Sequence, residues 1–91
     1  THSSFRTTED VASDALRASH LETLDLGKEK LTDIDLELRD FSSLMVACDL
    51  EKLPEAKTII REFRQKMIAL LKTGKREHVY QLAIQLYPLT D

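Results

Sequence analysis

The chain has 91 residues, 42% of them hydrophobic and 32% charged, which fits a single small globular domain over residues 1–91. Its formal net charge is −3, so no overall basic field holds the domain on nucleic acid or on an anionic membrane. The single cysteine, Cys48, excludes an intramolecular disulfide, and the sequence has neither a membrane-length apolar run nor a signal-peptide pattern. We therefore expect a cytoplasmic chain that contacts neither DNA nor a membrane directly.

The first predicted element is an amphipathic helix from Thr7 or Thr8 to about Leu31. Acidic residues directly after a threonine are typical of the start of a helix. Apolar and small residues then recur at three- and four-residue spacing, a pattern that predicts one buried face: Leu16, His20, Leu24, Gly27, Leu31, Ile34 and Leu38. We expect His20, which lies on this face, to be half-buried and structural.

A short apolar run over residues 40–48 predicts a strand. One face of this strand would point into the core, and its members are Leu44, Val46 and Cys48. The opposite face is small and half apolar rather than charged, with Ser43, Met45 and Ala47. This composition predicts that both faces of the strand are covered.

A second helix is predicted from Pro54 to about Thr73, with Gly74 as its C-cap. Its apolar residues give the strongest periodic signal in the chain, with alternating three- and four-residue steps: Leu53, Ala56, Ile60, Phe63, Met67 and Leu70. Basic residues on its outer face are interrupted by glutamates, so we interpret them as a solvated surface rather than a phosphate site.

Residues 78–86 alternate almost cleanly between apolar and other side chains, which predicts a second strand ending before Pro88. One side would present Tyr80, Leu82, Ile84 and Leu86, and the other Val79, Gln81, Ala83 and Gln85.

The predicted fold class is α+β, in the order helix, strand, helix, strand, with one β-α-β unit. Its sheet core would be Leu44, Val46, Leu82 and Ile84. Two strands alone leave exposed edges and an open face, so we expect dimerisation, or a missing part of the polypeptide, to complete the sheet. A monomer in which the first helix covers the open face is the alternative.

No arrangement of residues points to catalysis, and we expect no enzyme activity, no cofactor and no metal. Cys48 is expected in the core, and a buried cysteine is usually inert. The three histidines lack the spacing of a metal site. The acidic residues between Asp33 and Asp40 fit a solvated turn, and the two glycines cannot build a phosphate-binding loop.

The closing segment, residues 79–90, together with 41–44, 53–55 and 60–64, resembles a bacterial family of predicted transcriptional regulators that contains a domain of unknown function. In that family a helix-turn-helix precedes a helical middle and a C-terminal α+β part. The resemblance spans residues 7–90. It implies a C-terminal fragment of a regulator, with DNA-binding helices located upstream in the same chain and no defined catalytic or cofactor residue.

We accordingly expect an oligomerisation or regulatory module, a homodimer that positions the upstream DNA-binding domains. The surface predicted to meet a partner comprises Met45, Ala47, Ala83 and Gln85. The alternative is an effector sensor that binds a small ligand or a peptide through Tyr80, Gln81, Gln85 and Tyr87.

Overall fold

The computed structural model describes the backbone of residues 2–90 and the side chains of residues 13–90. It contains two α-helices, α1 (His2–Asp33) and α2 (Leu53–Leu71), and two short 3-10 turns at Leu36–Leu38 and Leu50–Lys52. No strand occurs in residues 2–90, so the predicted α+β fold is wrong and the described chain is all-α. The chain divides into two compact units, Thr1–Ser43 and Leu44–Asp91. A single domain over residues 1–91 stays a prediction.

Helix α1 exists as predicted but begins earlier, at His2, and ends two residues later, at Asp33. The predicted threonine caps at Thr7 and Thr8 concern side chains outside the described residues. Gly27 lies inside the helix without interrupting it. The Ile34 amide donates to the Lys30 carbonyl at 3.1 Å, which continues the helical hydrogen-bond pattern by one residue.

Helix α2 is also confirmed, and its start is set by a capped 3-10 turn. The Asp49 carboxylate accepts a hydrogen bond from the Glu51 amide at 2.9 Å, and the Asp49 carbonyl accepts one from the Lys52 amide at 2.9 Å. Pro54 follows in the first turn of α2, where the missing amide hydrogen leaves no helical hydrogen bond unmade. The chain therefore enters α2 from a fixed direction.

The end of α2 lies close to the predicted one. The amide of the C-cap residue Lys72 donates to the Ile68 carbonyl at 3.1 Å, and the Thr73 hydroxyl donates to the Leu70 carbonyl at 2.6 Å. Gly74 then adopts φ +78°, a left-handed conformation that favours glycine. The predicted involvement of Gly74 in ending the helix is confirmed, although Lys72 is the C-cap.

The strand predictions for residues 40–48 and 78–86 are wrong. Both segments are irregular, and every side chain in them is exposed. A strand needs a hydrogen-bonding neighbour, whereas a helix makes its hydrogen bonds within itself. Each predicted strand depended on the other or on a second chain for its ladder, so a local pattern of alternation was not sufficient.

None of the side chains described in residues 13–90 is buried. Half-buried residues occur in the first unit at Thr23, Gly27, Ile34 and Arg39, and in the second at Leu53, Ala56, Ile60 and Met67. The predicted sheet core has no counterpart: its residues are exposed by 85% (Leu44), 69% (Val46), 47% (Leu82) and 40% (Ile84). Cys48 and His20, expected to be buried and half-buried, are both exposed.

Candidate interaction surface

An organised apolar surface of the second unit follows one face of α2. We call it the α2 stripe, and its members are Leu53, Ala56, Ile60, Phe63, Met67 and Leu70. Steps of three and four residues return to nearly the same side of a helix, so these side chains form one continuous row. Four of them are half-buried, but Phe63 and Leu70 are 47% and 65% exposed. The α2 stripe is therefore exposed at Phe63 and Leu70 and half-covered at its other positions.

Two further apolar side chains widen this surface. Ile59 lies on one side of the α2 stripe and Leu71 on the other, and both are exposed by more than half of their area. Contiguous exposed apolar surface of this kind marks interaction sites in soluble proteins, whereas single exposed apolar residues are ordinary.

The face of α2 opposite the α2 stripe is polar and internally hydrogen-bonded. The Thr58 hydroxyl donates to the Pro54 carbonyl at 3.1 Å, and Arg61 donates from Nη2 to the Thr58 hydroxyl at 3.2 Å. Gln65 lies on the same face and is exposed. These contacts show that α2 has a solvated side and an apolar side.

Charged residues border the α2 stripe in an uneven way. Lys57 and Arg64 lie along one edge, and Ile59 and Lys66 lie along the other. Glu55 and Glu62 lie beyond that second edge, next to the polar face, and Lys66 follows Glu62 by four residues, at a spacing that suits an ion pair within the helix. The charged residues that directly border the stripe are therefore basic.

The first unit has a different organised feature, a fold-back of the chain onto the end of α1. Arg39 donates from Nε to the Ile34 carbonyl at 2.9 Å, and its guanidinium lies 5.8 Å from the centroid of the Phe41 ring. A carbonyl at a helix end needs such a donor because no helical amide remains to bind it. The Phe41 ring in turn approaches Gly27, since a methyl group on Gly27 would lie 3.9 Å from Cε2.

The residues predicted to bind a partner or a ligand lie in the irregular segments on either side of α2, and all are exposed: Met45, Ala47, Tyr80, Gln81, Ala83, Gln85 and Tyr87. The sheet that would align them is absent from residues 2–90. Two open depressions lie elsewhere, one along α1 at Glu22–Glu29 and one at Phe41–Ser43. A ligand site at the predicted residues stays a prediction.

Among the described side chains, no group of three or more His, Cys, Asp or Glu residues is arranged to hold a metal ion. Cys48 is a free, exposed thiol. Neither helix in the described part of the chain combines the length and apolar composition needed to cross a membrane.

Sequence reasoning found the α2 stripe but assigned it to the inner face of a sheet-covering helix. It also treated Lys57, Arg61 and Arg64 as one basic group, although Lys57 and Arg64 border the apolar row and Arg61 lies on the polar face. The fold-back of Arg39 and Phe41 was also missed, since Phe41 was placed in a strand.

Comparison with known proteins identifies a family for the chain. No curated protein and no solved structure matched the chain. A family model does match, over residues 1–89, and its description is "Domain of unknown function (DUF4423)". Because the match covers nearly the whole chain, the protein belongs to the DUF4423 family.

Proposed function

We propose that the chain is a non-enzymatic self-association module of a cytoplasmic bacterial transcriptional regulator, and that it positions DNA-binding domains located upstream. The resemblance of residues 79–90 to predicted regulators supports the regulatory context. Membership of DUF4423 is compatible with it but names no role.

The observation on which the proposal rests is the exposed apolar row of α2. Phe63 and Leu70 present 47% and 65% of their surface, and Ile59 and Leu71 present 57% and 56%. Removing apolar area from water stabilises by roughly 25 cal/mol per Å². Covering the apolar row of α2 would therefore be favourable, and a second copy of the same chain is the partner always present at matching concentration.

Pairing of two copies of this module would affect DNA binding by fixing the distance between their upstream DNA-binding domains. Two helix-turn-helix domains held at fixed separation match two operator half-sites, and half-site spacing is set by one turn of the double helix or its multiples. Once one domain is bound, the second binds at the high effective concentration that the linkage creates. No catalytic step is required of the module, and its net charge of −3 fits an indirect role on DNA.

The test is the solution mass of the 91-residue chain across a dilution series, measured by sedimentation equilibrium. We expect a dimer at high concentration that dissociates to a monomer on dilution, because only weak surfaces and no disulfide join the copies. A monomer at every concentration would contradict the proposal.

A matched pair of variants locates the surface. Phe63→Glu places a carboxylate in the α2 stripe, and Gln65→Glu places the same group on the opposite face of the same helix. We expect the first to abolish the dimer and the second to leave it unchanged. Circular dichroism of both variants confirms that α2 is retained, and equal dimerisation of the two would place the interface elsewhere.

A further inference from the structure

We draw no further inference here: the strongest candidate, the exposed apolar surface along one face of α2, is the surface on which the proposed self-association already rests, and nothing in the structure shows what covers it.

Discussion

Replacing Gly27 by alanine should stabilise α1. Glycine inside a helix has more conformational freedom to lose on folding than alanine, and the difference is about 1 kcal/mol. Among the glycines described, Gly74 alone has a positive φ, so the backbone at Gly27 accepts a side chain without strain. The added methyl group would lie 3.9 Å from Cε2 of Phe41, an ordinary van der Waals distance.

The expected increase in the free energy of unfolding is the sum of a helix-propensity contribution and a contact contribution. Helix propensity supplies about 1 kcal/mol, and contact of the methyl with the Phe41 ring adds a few tenths, since burial of a full methylene gives about 0.8 kcal/mol and this site is half-buried. The expected gain is about 1 to 1.5 kcal/mol. With a urea dependence of about 1 kcal/mol per M for a small chain, the midpoint should rise by about 1 M.

Urea unfolding followed by helical circular dichroism measures this shift, at one fixed protein concentration because self-association changes apparent stability. Gly74→Ala is the matched comparison and should act in the opposite direction. Its φ of +78° is left-handed, and a side chain there costs about 1 kcal/mol or more. If the urea midpoint of Gly27→Ala is unchanged or lowered, the reasoning is refuted: either the backbone at Gly27 does not accept a side chain, or the added methyl group does not fit beside Phe41.

Three other predictions concern local contacts. Asp49→Ala removes the side-chain cap before α2 and should cost about 1 kcal/mol in thermal unfolding, whereas Asp35→Ala should have little effect because Asp35 makes no side-chain cap bond. Arg39→Lys lacks the Nε that binds the Ile34 carbonyl and should destabilise α1 by about 0.5 to 1 kcal/mol in the same assay, and no change would contradict that contact. Cys48 should react with a maleimide in native buffer nearly as fast as in urea, since its thiol is exposed, and strong protection would contradict its placement.

The two helices could be predicted from the sequence because the interactions that form them are local. The capped turn before Pro54, the apolar row of α2 and the glycine after its last turn all act within a few residues. The ends of α2 were therefore predicted within two residues. The start of α1 was less predictable, because residues ahead of Thr7 continue the helix without an apolar pattern.

The strands failed because alternation describes a side-chain arrangement and not a hydrogen-bonded partner. Residues 78–86 have a strand-like order of side chains, but the described chain supplies no adjacent strand for them. Phe41 shows a second reason why the strand predictions failed. Its place in an apolar run favoured a strand, yet its ring lies beside the Arg39 guanidinium and approaches Gly27 of α1.

The apolar row of the candidate surface could be predicted from the sequence, but what covers this row could not. Periodicity alone identified the α2 stripe, because apolar spacing does not depend on what covers it. The position of each charged residue relative to that row was not used in the prediction. Lys57 and Arg64 border the row on one side, whereas Ile59 and Lys66 border it on the other, and Glu55 and Glu62 belong to the polar side of α2. Charges bordering an apolar row are thus best assigned to its two edges before a partner is inferred.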